Sequence, residues 1–453
     1  MISSLSPIDG SLLAEYEETA PADVQRHIEA AAALQKEWEL TSVADRAVPM
    51  LRMADLLEAH RDELATLMTD EMGKPLAQAR AEVDKCVWVC RHYAEHAERI
   101  LQPDSIETER KSYVAYRPLG VVLAVMPWNF PLWQVYRFLA PALMAGNGGL
   151  LKHASNVTGS ALWIDRLTVE AGFPDGLFRT LVLPSSRVDE VLEHPSIVAA
   201  TLTGSDPAGR AVAQKAGSLL KKTVLELGGS DPYVVLADAD LEKAAETCST
   251  SRLINGGQSC IAAKRFIVEE PVVEEFTDLM AGGMSKAVMG DPHHPSTTLG
   301  PMARVDLRDE LHEQVQRSVE SGARLILGGE IPEGPGAFYP ATLLGGVEKG
   351  MAAYHEETFG PVAAIISARD VDDAVRIAND TEFGLGGAVF TEDLEKGEAI
   401  ARDRIQAGAV FVNAFVASDP RLPFGGIKMS GYGRELSDLG MKEFLNAKTV
   451  VVA

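Results

Sequence analysis

The sequence predicts an α/β protein: an all-helical opening, then two strand–helix units, each on a largely parallel sheet, with a projecting strand pair. Three observations predict it. From Pro21 to about Leu101 apolar residues recur at helical spacing. Beyond that segment, short apolar, β-branched runs alternate with helical stretches, the pattern of a parallel sheet covered by helices. A second series of the same kind begins near Gly229. At 453 residues the chain is also too long for a single hydrophobic core.

Taken in order, "DVQRHIEAAAALQKEW" places Val24, Ile28, Ala31 and Leu34 on one helical face with charges between them. Helical patterns continue through "RAVPMLRMADLLEAHRDELATLMTDEMG" and "AQARAEVDKCVWVCRHYAEHAERI". "SYVAYRPLGVVLAVMPWNFP" then turns to alternating and β-branched residues and ends in a buried-type strand, Val121 to Val125. Strand-like runs follow in "GGLLKH", "FRTLVLP", "IVAATLTG", "KTVLELGG" and "PYVVLA". The second series holds "RFIVEE", a helix from about Val272 to Met289, "RLILGG", "VAAIISA", "GAVFTE" and "AGAVFVN". The tail "EFLNAKTVVVA" reads as a terminal strand. There is no tandem repeat and no low-complexity linker.

Composition narrows the function. Hydrophobic residues make up 46% and charged residues 24%, which fits a folded globular chain and not a disordered one. Against 42 basic residues stand 65 acidic ones, a formal charge of −23, so nucleic acid and anionic membrane surfaces are excluded as partners. An anionic substrate needs a locally positive pocket. The opening "MISSLSPIDGSLLAEYEE" has neither a basic start nor an apolar signal core, and no run approaches the roughly 18 to 20 apolar residues of a membrane span. Cys86, Cys90, Cys248 and Cys260 form no disulfide framework. Cys86 and Cys90, with His92 and His96, read as helical spacing rather than a metal set. A soluble, cytoplasmic, reduced protein without a metal is expected.

Five stretches can carry chemistry. In "MPWNFP" two prolines fence Trp128, Asn129 and Phe130 where a strand ends, the usual ligand crevice of an open α/β sheet. Asn129 reads equally well as a satisfied turn residue. In "LLKHASN" Lys152 ends a strand-like run and reaches either ribose hydroxyls and phosphate or plain solvent. In "TLTGSDPAG" Gly204 and Gly209 open a helix whose free amides suit an anion, but the spacing is neither GxGxxG nor a Walker loop. In "LELGGSDP" Glu226 sits in an apolar run, where burial raises a carboxyl toward a usable base; a strand-end cap is the plainer reading. In "NGGQSCIAAKR" Cys260 stands among small and polar residues, in what reads as a flexible loop. That setting is not one for an inert core cysteine, and it suits a reactive thiol and a plain loop residue equally well.

A thiolate nucleophile usually takes histidine as its base, yet none of the ten histidines is marked for that role. A papain-like hydrolase is therefore disfavoured, and Glu226 or a water it activates is the candidate base. The set suggests thiolate addition to an aldehyde, with the oxyanion held by Asn129 and the Cys260 amide. Oxidation by a nicotinamide then leaves a thioester for water to cleave.

"PWNFP", "LELGG", "GQSC", "EETFGPV" and "PFGGIKMSGYGRE", in this order, resemble the aldehyde dehydrogenase superfamily over nearly the whole chain. The resemblance implies an aldehyde dehydrogenase-like α/β fold with a Rossmann-like cofactor domain, an α/β catalytic domain and a small β oligomerisation element. The implied boundaries are 1–98 and 119–228 for cofactor, 229–435 for catalysis, and 99–118 with 436–453 for the oligomerisation strands. It implies Cys260 as nucleophile, Glu226 as general base and Asn129 as oxyanion donor. Lys152 and Glu357 are implied at the cofactor ribose and Phe359 beside the nicotinamide. Trp128, Gly204, Ser205 and Gly228 are implied along the rest of the cofactor path.

Within that superfamily the chain is most similar to bacterial succinate-semialdehyde dehydrogenases. The similarity puts Arg137 and Ser418 at the carboxylate of succinic semialdehyde, which a guanidinium grips with paired bonds. The expected reaction is oxidation of succinic semialdehyde to succinate. The alternatives are another short aldehyde, such as glutarate semialdehyde or an aliphatic one, and, from another class, a thiol esterase. Three departures matter. Ile254 stands where many relatives carry a second arginine, which loosens carboxylate binding. Ser155 replaces a glutamate that NAD users often have, so NADP is expected to be accepted and preferred over NAD. Ala262 replaces a second cysteine, removing any disulfide switch from the loop. A homodimer or homotetramer is expected.

Overall fold

In the computed structural model, which describes residues 1–453, the periodicity after Pro21 resolves into the helices Pro21–Trp38, Val43–Ala59, Arg61–Met72 and Leu76–Ile100. The run from Arg46 to Gly73 breaks at His60, whose φ of −97° and ψ of 18° leave the helical region. Gly73 ends the third helix with a left-handed φ of 79°, where a Cβ would lie 2.8 Å from Pro301. Ahead of these helices, Ile2–Leu5 and Leu12–Tyr16 pair as an antiparallel hairpin, which the sequence reading missed because neither run is strongly alternating.

The strand–helix alternation forms two sheets. The first has six strands, in the order Gly431–Tyr432, Lys222–Glu226, Ile197–Thr203, Val121–Met126, Gly148–His153, Phe178–Thr180. All pairings are parallel except that of Gly431–Tyr432, so the segment after Phe424 returns from the second sheet to seal the edge of the first. The second has seven: Arg324–Leu327, Thr342–Gly345, Val362–Ala368, Arg265–Glu269, Pro232–Val235, Gly386–Phe390, Ala409–Val412. Pro232–Val235, which its apolar run places with the first series, lies inside this second sheet and is buried throughout. Thr342–Gly345 is fully buried yet too short to stand out by pattern.

A third, antiparallel sheet joins Asp104–Ile106, Lys111–Pro118 and Leu445–Val452, the projecting strands expected from both ends of the pattern. The first sheet packs against the opening helices in a core of 47 buried residues that includes Val83, Val122 and Phe138. The second has separate cores on its two faces. No helix is long and apolar enough to cross a membrane.

Candidate active site

Strand order in the first sheet reverses between Val121–Met126 and Ile197–Thr203, and a crevice opens beyond their carboxyl ends, as in open parallel sheets generally. The loop at Pro127–Pro131 leaves one strand there, and Gly204–Ser205 leaves the other. His153, at the end of the neighbouring strand, pins the first loop. Burial drives its imidazole down to about 4, so it is neutral. Nε2–H then donates to the Pro131 carbonyl at 2.8 Å while Nδ1 accepts from the Ala154 amide at 2.9 Å. Glu82 fixes the other side of the turn, accepting from the Leu132 and Trp133 amides at 2.9 and 3.0 Å. Asn129 is thereby held rigidly. One of its amide hydrogens goes to the Gln258 carbonyl at 3.1 Å, which leaves the second free.

Gln258 belongs to the loop that carries Cys260, and here the structure corrects the sequence reading. Asn255 to Ser259 are buried rather than flexible, despite their polarity. Asn255, Gly256 and Gly257 follow one another in left-handed conformation, with φ of 56°, 61° and 73°. A Cβ on Gly257 would lie 2.1 Å from the Gly360 carbonyl oxygen. These glycines therefore serve a tight buried turn, and not only access to the sulfur. Asn255 Nδ2 closes the turn by donating to the Asn129 and Gln258 carbonyls at 2.8 and 3.0 Å.

Cys260 emerges from this turn half-buried, at the junction of two cavities. One, of about 270 Å³, is bordered by Trp128, Asn129, Gly204, Ser205, Glu357 and Phe359. The other, of about 380 Å³, is walled by aromatic and aliphatic side chains together with Lys85, Arg137 and Ser418. Burial pushes the Cys260 thiol up to about 12, while Arg137 and Lys264 pull it down. The resting sulfur is thus protonated and needs a base.

Glu226, the candidate base, lies behind this wall and is 2% exposed. Neither carboxyl oxygen has a hydrogen-bond partner, and Oε1 would be 2.6 Å from a Cβ on Gly425. Burial first, and then the neighbouring Glu435 carboxyl, hold Glu226 well above the usual carboxylate range. Arg137 is near enough to both acids to counter their burial. Its guanidinium pairs with Glu435, donates to Thr203 Oγ1 at 3.2 Å and stacks on the Phe424 ring at 4.6 Å. Arg137 is therefore engaged in a buried ion pair, where the resemblance implied a guanidinium for the substrate carboxylate.

In the first cavity, Glu357 accepts from the Gly229 amide at 3.0 Å and forms an ion pair with Lys264 Nζ at 3.2 Å. Gly228 has no room for a side chain, because a Cβ would approach Glu357 Oε2 to 2.4 Å. Trp128 and Phe359 meet edge to face at 5.7 Å. Lys152 is 5% exposed, with only the Ser185 hydroxyl, at 3.1 Å, as partner. Ser155 is exposed at the start of the short turn after this strand. The residues the sequence reading missed are Ser185, His153, Glu435, Lys264 and Lys85. Three of them lie in stretches already singled out: His153 in "LLKHASN", Glu435 at the end of "PFGGIKMSGYGRE", and Lys264, four residues after Cys260, where it donates to the Ser259 and Cys260 carbonyls at 3.0 and 2.8 Å.

The profile of the aldehyde dehydrogenase family matches residues 1–450. Succinate-semialdehyde dehydrogenase (NADP(+)) of Mycobacterium avium (strain 104) is 48% identical over 460 residues, covering 99% of this chain and 96% of that protein. Succinate-semialdehyde dehydrogenase (NADP(+)) 1 of Mycobacterium tuberculosis (strain H37Rv) is 48% identical over 456 residues, with both chains covered completely. Among solved structures, succinic semialdehyde dehydrogenase from Streptococcus pyogenes in complex with NADP+ superposes with a TM-score of 0.98 at 36% identity, over the full length of both chains.

Proposed function

This chain belongs to the aldehyde dehydrogenase family, and from that premise we propose that it oxidises succinic semialdehyde to succinate with NADP as the preferred acceptor. That it is an NAD(P)-dependent aldehyde dehydrogenase follows from the family and its relatives. One observation carries the finer reading. Cys260 joins a cavity bordered by nucleotide-type groups to one whose apolar walls carry basic side chains.

The cofactor fits the residues present. Lys152 is a buried ammonium without a carboxylate partner, suited to ribose and phosphate oxygens, and Glu357 is pre-set by Gly229 and Lys264 to accept from ribose hydroxyls. Trp128, Gly204, Ser205, Gly228 and Phe359 border the remaining path. Ser155 carries no charge to repel a 2′-phosphate, which supports NADP over NAD. When bound, NADP supplies the two-electron acceptor.

In the chemistry, Cys260 Sγ bonds to the aldehyde carbon as Glu226, directly or through a water, takes the thiol proton and passes it to solvent, and the second amide hydrogen of Asn129 with the Cys260 amide holds the oxyanion. After oxidation the carbon is bound to Sγ as a thioester. Glu226 then takes a proton from water, whose oxygen replaces sulfur and releases succinate. For this Glu226 must turn from Gly425 toward the sulfur, which its two unpartnered oxygens leave it free to do. Arg137 and Ser418 both border the second cavity, which supports a carboxylate-bearing substrate.

The domain reading runs along the same lines: 1–98 and 119–228 for the cofactor, 229–435 for catalysis, and 99–118 with 436–453 for assembly. Leu445–Val452 is an exposed edge strand, which supports a homodimer or homotetramer built on it. Four free cysteines accord with a reducing, cytoplasmic setting. The test is the initial rate of NADPH and NADH formation with succinic semialdehyde, glutarate semialdehyde and propanal. A kcat/KM for succinic semialdehyde far above that for propanal, with NADP ahead of NAD, is expected. Equal rates on propanal would remove the substrate assignment and leave a general aldehyde dehydrogenase.

A further inference from the structure

Three cationic side chains border the second cavity: Lys74, Lys85 and Arg137. Two are already neutralised. Lys74 pairs with Glu82, both side chains being 1% exposed, and its Nζ sits 4.0 Å from the Phe130 ring centroid. Arg137 pairs with Glu435 at similar burial. Lys85 differs. No carboxylate lies within ion-pair distance of it, and its Nζ donates to Ser418 Oγ at 2.7 Å and lies over the Trp133 ring at 4.5 Å. An ammonium carries three donor hydrogens, so two remain without a polar partner. Taking such a group out of water costs free energy unless an anion meets it.

We propose that Lys85, with Ser418, is the residue that receives the distal carboxylate of the aldehyde, while Arg137 is held by Glu435 as part of the framework behind Glu226. The inference rests on the acidic-aldehyde reading above and changes which residue performs the recognition. It also accounts for Ile254: the charge that many relatives place six residues before the nucleophile comes here from the helix Leu76–Ile100. Ile254 and Ile261 supply apolar wall to methylene groups instead. An ammonium on a flexible stem acts as a point charge, without the directional fork of a guanidinium. The site therefore accepts four- and five-carbon ω-carboxylate aldehydes with similar ease.

The experiment compares Lys85→Met, Lys85→Arg and the unaltered enzyme on succinic semialdehyde and on butanal, its uncharged four-carbon counterpart. Succinate is tested beside them as a competitive inhibitor. For Lys85→Met the expected result is a KM for succinic semialdehyde raised about 10- to 100-fold, the range for losing a hydrogen bond to a charged group. Its kcat and the butanal kcat/KM are expected to stay near the original values, and the succinate inhibition constant to rise in parallel. Lys85→Arg is expected to restore most of the affinity. Equal losses on both aldehydes would mean that the Lys85–Ser418 bond merely braces the fold, and unchanged kinetics would return the role to Arg137; either overturns the proposal. If the unaltered enzyme does not favour succinic semialdehyde over butanal, the substrate reading fails. Succinate inhibition then decides Lys85 separately: weakening in Lys85→Met supports it, and no change removes it.

Discussion

Replacing Arg137 by methionine separates the framework role of this arginine from substrate recognition. The side chain is 2% exposed and its partner Glu435 is 5% exposed, so the pair is desolvated on both sides. Methionine keeps much of the stem but leaves Glu435 without its cation, beside a second buried acid, Glu226. Removing one member of a buried ion pair costs about 3–5 kcal/mol, because the remaining charge is buried uncompensated. The lost stacking on Phe424 and the lost Thr203 bond lie within that range rather than adding to it. Urea unfolding at fixed protomer concentration, followed by tryptophan fluorescence and circular dichroism, is the assay. The midpoint is expected to fall with little change of slope, and butanal turnover to fall together with succinic semialdehyde turnover. Adding Glu435→Gln to Arg137→Met removes the stranded acid and is expected to recover at least about half of the loss. The reasoning is refuted if Arg137→Met unfolds within about 1 kcal/mol of the parent and only the KM for acidic aldehydes rises.

Other consequences come from single groups. Burial first and then Arg137 lower the Lys85 ammonium to about 8, against Cys86, Glu82 and Asp419, which act to raise it. Its positive charge is therefore lost as pH rises through about 8, where a free lysine stays charged. The kcat/KM ratio of succinic semialdehyde to butanal is expected to fall above that pH, approaching tenfold per pH unit, and a flat ratio from pH 7 to 10 would contradict it. Gly257→Ala forces a Cβ against the Gly360 carbonyl in a left-handed turn. A loss of about 2–5 kcal/mol is expected, seen as a lower melting temperature together with lost activity. Ser155→Glu is expected to lower kcat/KM for NADP at least about tenfold, by setting a carboxylate against the 2′-phosphate, while NAD use changes little. Cys260→Ala is expected to abolish both aldehyde oxidation and any ester hydrolysis; esterase activity that survives it belongs to another group.

Much of this site is legible in the sequence. The strand ends at Met126, Thr203 and Glu226 show in the sequence because an apolar run interrupted by Pro or Gly is a local signal. The switch-point crevice gathers the loops that leave those strand ends. Cys260 stood out because its neighbours are not those of a core thiol. The same local logic misjudged the loop before it. Polar, glycine-rich residues suggest exposure, whereas here their amides and carbonyls satisfy one another and Gly360 packs against the turn.

By itself the sequence determined the α/β class, most of the strand–helix alternation and the loops that carry Asn129, Glu226 and Cys260, because side-chain periodicity and turn chemistry act over a few residues. Only the tertiary structure decided which charges are free. Lys85 meets Ser418 across 333 positions of chain, and Arg137 meets Glu435 from a segment likewise far off in sequence. Whether a buried cation is available to a ligand depends on the counter-charge brought to it in space, and no local pattern encodes that neighbour.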